Sequence, residues 1–190
     1  MSSNKYKKLI EGNSYYNGEL RFHIEKPEDW VFVPQQWAQN FREKNLETNS
    51  ELEEMLRKGA VPFIAFYKHH DNSRYPLPTV QCTCRLKSGL FRINLSEMAE
   101  QMTKELPQIY SEFNILEYTA DYIISGYRGI IIRSSFSMNN HDGDTIECLG
   151  RMIFVDGVNF VYMIGLTGST KGKYRCEDEF DKIIQSIKIE

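Results

Sequence analysis

The chain has 190 residues, of which 41% are hydrophobic and 26% are charged. This size and composition are typical of one soluble folded domain that needs no disulfide or metal to stabilise it. Its 23 basic and 26 acidic side chains give a formal charge of −3, which argues against a dedicated nucleic-acid binder because such proteins carry a basic stripe. The apolar runs are too short for a membrane span or a signal peptide. We therefore expect one cytoplasmic domain over 1–190, with 1–18 a partly ordered arm and the core at 19–190.

The first half of the sequence predicts short strands and one helix. Ser50 and Glu53 have the spacing of a helix capping box, and Gly59 is a suitable end for that helix. Trp30, Phe32 and Pro34 predict a short extended piece, and alternating apolar, aromatic and β-branched residues predict three longer strands. These strands lie at Leu20–Glu25, Pro62–His69 and Thr79–Leu86.

The second half predicts a helix, four consecutive strands and a last helix. Asn94 is placed to cap the first of these helices, and apolar residues from Leu95 to Leu106 share one of its faces. The strands are predicted at Phe113–Ile124, Arg128–Met138, Thr145–Val155 and Asn159–Thr167. Short turns such as Asp156-Gly157 make neighbouring strands antiparallel. The last helix is predicted over Tyr174–Ser186.

This order of elements predicts the fold class. Helices that interrupt an antiparallel sheet pack on its faces, which gives an α+β protein. We expect an α-β-α sandwich with a central, mostly antiparallel β-sheet.

One glycine-rich segment is compared with phosphate-binding loops. Gly165–Lys173 reads G-L-T-G-S-T-K-G-K and lies between a strand and a helix. However, only three residues separate Gly168 from Gly172, where the phosphate loop requires four, and Tyr174 replaces the hydroxyl residue that binds magnesium. We interpret the segment as a connector and predict no cofactor.

Two histidine-containing segments are the candidates for a metal site. His69 and His70 are adjacent at the end of a strand and therefore point to opposite faces. The segment 139–144 lacks the spaced oxygen ligands of a calcium loop. Both segments are typical of polar turns, so we predict no metal ion. A site formed by loops 69–76 and 139–144 meeting in space stays open.

The four cysteines indicate no catalytic site by their spacing. No C-x-x-C pair occurs among Cys82, Cys84, Cys148 and Cys176. A pair of Cys148 with His141 is the best nucleophile candidate, but a strand cysteine packed on the sheet is the preferred interpretation. We expect reduced thiols, no catalytic residue and no enzyme activity.

Aromatic residues in the N-terminal third are the candidates for a partner interface. Tyr15 and Tyr16 stand beside Asn17-Gly18 and are predicted to be exposed, and Trp37 is the third candidate. Tyrosine and tryptophan anchor many interfaces, although most aromatic residues fill cores.

Several of these segments together resemble the PsbP-like superfamily. They are the opening strand, the P-E-D-W of Pro27–Trp30, the strand that ends at Ser125-Gly126, the aliphatic Gly129–Arg133 and the closing F-x-x-I-I-x-S-I of Phe180–Ile187. That superfamily includes PsbP, Ran-binding Mog, DcrB-like proteins and chaperones of type VI secretion effectors. The resemblance covers about residues 19–190. It implies an α-β-α sandwich that binds partners rather than catalyses a reaction, and it identifies no binding residue.

Two functional hypotheses follow. The first is a non-catalytic protein-binding domain, such as an adaptor, a chaperone or an immunity-type partner of another protein. The alternative is a small-molecule or lipid-binding domain with a pocket between sheet and helices. A strand edge could also pair two copies of the chain.

Overall fold

The computed structural model describes residues 8–33, 62–68, 78–87, 94–139, 143–171 and 175–190. The helices in these ranges are α1 (Leu95–Ile109) and α2 (Glu177–Ser186). The strands are β1 (Lys8–Glu11), β2 (Ser14–Asn17), β3 (Phe22–Glu25), β4 (Trp30–Phe32), β5 (Ile64–Lys68), β6 (Thr79–Leu86), β7 (Ser111–Ile124), β8 (Tyr127–Asn139), β9 (Thr145–Asp156), β10 (Phe160–Ser169) and β11 (Lys188–Ile189).

The described strands form two sheets. A large sheet has the order β4-β5-β6-β10-β9-β8-β7, and a small sheet has the order β1-β2-β3-β11. Every described pairing is antiparallel. The predicted four-strand meander is confirmed as β7-β8-β9-β10. Its first turn is Ser125-Gly126, where both residues have positive φ (53° and 83°), as a tight two-residue hairpin requires.

The large sheet is covered on both faces. Helix α1 packs over one face, where Ala99 belongs to the same buried cluster as Ile130, Ile132 and Phe154. Helix α2 and the small sheet cover the other face and share with it the main hydrophobic cluster, which includes Phe180. Alternate residues of β8 therefore pack on opposite faces of the large sheet. The predicted α+β sandwich is confirmed.

The helix ends follow the predicted capping chemistry in one case and not in the other. Asn94 caps α1, since its side chain accepts a hydrogen bond from Ser96 N at 3.0 Å. Helix α2 begins at Glu177, later than predicted, and Cys176 precedes it without a side-chain cap. The predicted capping-box helix after Ser50 lies outside the described residues.

The small sheet corrects the predicted start of the core. Residues 8–17 were predicted as an arm, but they form the β1-β2 hairpin, which pairs with β3. Strand β11 lies on the other side of β3, because Lys188 and Ile189 pair with that strand. The ordered core therefore begins before residue 19, since this hairpin extends a sheet and one of its side chains is buried.

Candidate protein-binding surface

The three aromatic residues predicted to bind a partner do not form one exposed group. Tyr15 is completely buried in the main cluster, and burial raises the pKa of its hydroxyl. The prediction that it is exposed is wrong, because strand alternation turns it inward beside Phe63, with ring centroids 6.2 Å apart. Tyr16, its neighbour on β2, is partly exposed. Trp37 lies outside the described residues.

The cysteines occupy packing positions. All four are free thiols. Cys148 is buried with Phe136 and Ile146, and burial raises the pKa of its thiol to about 11. Burial also raises the pKa of Cys176 to about 12. A thiol with a raised pKa holds little thiolate at neutral pH, and the thiolate is the nucleophile. His141, the predicted partner of Cys148, is not among the described residues.

The described residues give no support to the metal and phosphate alternatives. Among them, no group of three or more histidine, cysteine or acidic side chains is placed to hold a metal ion. The histidines at 69, 70 and 141 fall outside those ranges. Gly165–Ser169, the start of the glycine-rich segment, belongs to strand β10 and pairs with β9. In the same ranges, no helix has the length and apolar character that a bilayer crossing requires.

One carboxylate of α2 joins that helix to two strands. Lys68 Nζ lies 2.9 Å from both oxygens of Glu179, and Trp30 Nε1 donates to Oε1 at 3.1 Å. Burial by itself raises the pKa of Glu179, but hydrogen bonds from Lys68, Cys176 and Trp30 outweigh burial, so the pKa is lowered. Lys68 also lies 3.5 Å from Asp29. These donors occupy the carboxylate, so the cluster fastens α2 to the sheet.

The exposed apolar side chains concentrate at strand β7. We define the β7 edge surface as Ile109, Ile115, Leu116, Tyr118 and Ile123. Their exposed fractions range from 39% for Ile109 to 59% for Ile123. These five are half of the exposed large hydrophobic residues in the described part of the chain. Contiguous exposed apolar surface is a usual mark of a binding site.

Among the described residues, strand β7 is the last strand of the large sheet and is paired only with β8. Its outer N–H and C=O groups therefore have no strand neighbour among the described residues. Its register with β8 shifts at three places, and Glu112 and Asp121 at two of them have positive φ (53° and 61°). Such bulges are a common way to protect an edge strand from indiscriminate pairing.

The two faces of β7 differ in chemistry. Tyr118 lies opposite Ile132, which packs under α1, so Tyr118 is on the α1 face. Ile115 lies opposite Ser134 on the same face by alternation. Glu117 lies opposite Arg133 on the other face, at 3.2 Å, and Arg133 also reaches Glu177 of α2 at 2.8 Å. The edge is thus apolar on the α1 face and carries the Glu117 carboxylate on the other.

Strand β7 and the elements beside it carry a net negative charge. Over α1, β7 and β8 there are six carboxylates and three bases, which give these three elements a net charge of −3. The carboxylates on β7 itself are Glu112, Glu117 and Asp121. Hydrogen bonds from Thr119 and Arg133 lower the pKa of Glu117. The edge therefore stays negative at neutral pH.

Sequence reasoning identified β7 as a strand but not as a surface. Its adjacent apolar residues Ile115 and Leu116 break the alternation of a half-buried strand, because a bulge places Leu116 between two regular pairs. That break in alternation was the sequence signal available for the exposed surface on β7. It does not reveal whether the strand is central or at the edge.

A scan against protein-family models finds no match, and a search of curated proteins also finds none. Solved structures do match. Cyanobacterial PsbP (CyanoP) from Synechocystis sp. PCC 6803 has a TM-score of 0.60 and 7% identity, over 96% of this chain and 95% of that one.

Two further structures are similar at the level of the fold. LpqN of Mycobacterium tuberculosis, described as involved in cell envelope biogenesis, has a TM-score of 0.56 and 15% identity, over 88% of this chain and 82% of its own. A Mog1 E65A mutant has a TM-score of 0.51 and 8% identity, over 92% of each chain. The predicted resemblance is confirmed for the architecture: this chain has the PsbP-like fold.

Proposed function

We propose that the chain is a non-catalytic, cytoplasmic protein-binding domain, acting as an adaptor, chaperone or immunity-type partner of another protein. The β7 edge surface is the place where the partner binds. The observation that carries this proposal is the row of side chains about half exposed on an edge strand, from Ile115 to Ile123.

Three further features support the proposal. The thiols of the described core have raised pKa values, as expected for packing rather than nucleophilic roles. Four free cysteines suit a reducing compartment. The resemblance to the PsbP-like superfamily implies the binding of partners.

Affinity capture with matched variants tests the proposal. The tagged chain is incubated in a lysate of its source organism, and bound proteins are quantified by mass spectrometry. Leu116→Ser combined with Tyr118→Ser removes apolar area from the β7 edge surface. Both side chains are about half exposed, at 55% and 43%, so the fold is expected to remain intact.

The control is Leu86→Ser, which removes an apolar side chain that is 65% exposed on strand β6. We expect a stoichiometric partner that is retained by the Leu86 variant and lost by the β7 variant. Circular dichroism checks that both variants are folded. Equal capture by both variants would show that the β7 edge surface is not the interface.

A further inference from the structure

The β7 edge offers hydrogen-bonding groups, apolar area and charge together. Its outer backbone groups have no strand neighbour in the described ranges. An extended peptide that lies beside such an edge gains main-chain hydrogen bonds, and its alternate side chains meet the two faces of the sheet. The edge can therefore distinguish peptides by the pattern of their side chains.

That pattern is set by the two faces. On the α1 face, an added strand would lie beside Ile115, Tyr118 and Ile123, which favour apolar neighbours. On the α2 face it would lie beside Glu117, whose side chain is 47% exposed. Opposite charges across neighbouring strands stabilise the pair. The complementary segment alternates apolar residues with lysine or arginine.

A second copy of the chain does not fit this edge. Strand β7 contains Glu112, Glu117 and Asp121 and no basic residue. Pairing two β7 strands brings six carboxylates together, and like charges on neighbouring strands are destabilising. The side chains of Asp121 and Arg128 form an ion pair and are both exposed, at 67% and 75%. Such a surface ion pair is weak, so a basic side chain of a bound segment can replace Arg128 as the partner of Asp121.

We propose that the β7 edge surface binds an extended basic segment of another protein by strand addition, with apolar residues of the segment facing Tyr118 and its basic residues facing Glu117. This inference rests on the proposed function and specifies the chemical class of the partner. The bulges limit the regular stretches of β7, so the bound segment is short.

Synthetic peptides test the inference directly. The probe is a fluorescent peptide of about nine residues, roughly 30 Å when extended, in which valine alternates with lysine. One control peptide replaces each lysine by glutamate. A second carries methyl groups on its backbone nitrogens, which keeps the charge and removes the hydrogen-bond donors. Fluorescence anisotropy with the full chain gives the dissociation constants.

We expect the lysine peptide to bind about tenfold more tightly than either control, as several cross-strand pairs would provide. Glu117→Gln combined with Asp121→Asn is expected to remove most of this preference, and asparagine tolerates the positive φ at position 121. The matched control, Glu19→Gln with Glu28→Gln, makes the same change of charge at exposed positions elsewhere and should bind as the native chain does.

Equal binding of the lysine and glutamate peptides, or unchanged binding by the Glu117 and Asp121 variant, would overturn the inference. Equal binding of the methylated peptide would exclude strand addition, and a dimer that buries β7 in sedimentation would assign the edge to a second copy. If lysate capture depends on Leu116 and Tyr118 while the lysine peptide shows no preference, the proposed function stands and this partner class is wrong.

Discussion

Replacing Glu179 by glutamine tests whether one carboxylate fastens α2 to the sheet. The substitution keeps the shape of the side chain and removes its charge. The two contacts with Lys68 Nζ, both at 2.9 Å, lose their ionic character. The Lys68 side chain is only 15% exposed, and Asp29 at 3.5 Å is its other ionic neighbour within the described ranges. The ammonium would therefore be left partly buried with less compensation.

We expect Glu179→Gln to lower the free energy of unfolding at pH 7 by about 2 kcal/mol. Hydrogen bonds to charged groups contribute about 1.5–3 kcal/mol each, and the lower part of that range applies because Asp29 remains beside Lys68. The pKa of Glu179 is lowered in the folded state. Its stabilising effect is therefore present above about pH 4.3, the unfolded pKa, and is lost as the pH falls through the folded pKa.

Urea denaturation between acidic and neutral pH measures the effect. The control is Asp178→Asn, an exposed residue on the same helical turn, because it loses the same favourable interaction with the helix N-terminus. A double-mutant cycle with Lys68→Met isolates the pairwise coupling. The reasoning is refuted if Glu179→Gln costs no more than Asp178→Asn at pH 7, or if its cost persists undiminished at acidic pH.

Three further predictions concern the fold. Ser125→Ala should lower the free energy of unfolding by about 1–2 kcal/mol in urea denaturation, since Ser125 Oγ accepts from Ile189 N at 2.8 Å and donates to Ile189 O at 3.2 Å; an unchanged midpoint would contradict this role. Gly129→Ala should cost about 1–3 kcal/mol, because its Cβ would lie 2.5 Å from the carbonyl oxygen of Phe154. Gly165→Ala is the control, because the nearest atom to its added Cβ would be a side-chain carbon of Gln81 at 3.6 Å. Equal melting temperatures of the two variants would refute the steric argument. A neutral thiol reagent should label the buried cysteines far more slowly in the native chain than in urea, and rapid native labelling would contradict their burial.

The sequence by itself determined the elements whose signals are local. The Asn94 cap, the four-strand meander and the tight turn at Ser125-Gly126 were all predicted and are all present. Capping, alternation and turn chemistry depend on residues within a few positions of one another, so they can be read without the fold. The resemblance to the PsbP-like superfamily drew on the same local patterns.

The tertiary structure alone decided what is buried, what is paired and what is exposed at an edge. Tyr15 stands in a polar segment yet packs against Phe63. Glu179 looks like a solvated helix residue, but its partners Lys68 and Trp30 lie 111 and 149 positions earlier in the chain. In the described part of the chain, strand β7 has one neighbouring strand because the sheet ends there. Burial and edge position are properties of how distant segments assemble, and a local pattern carries no information about that assembly.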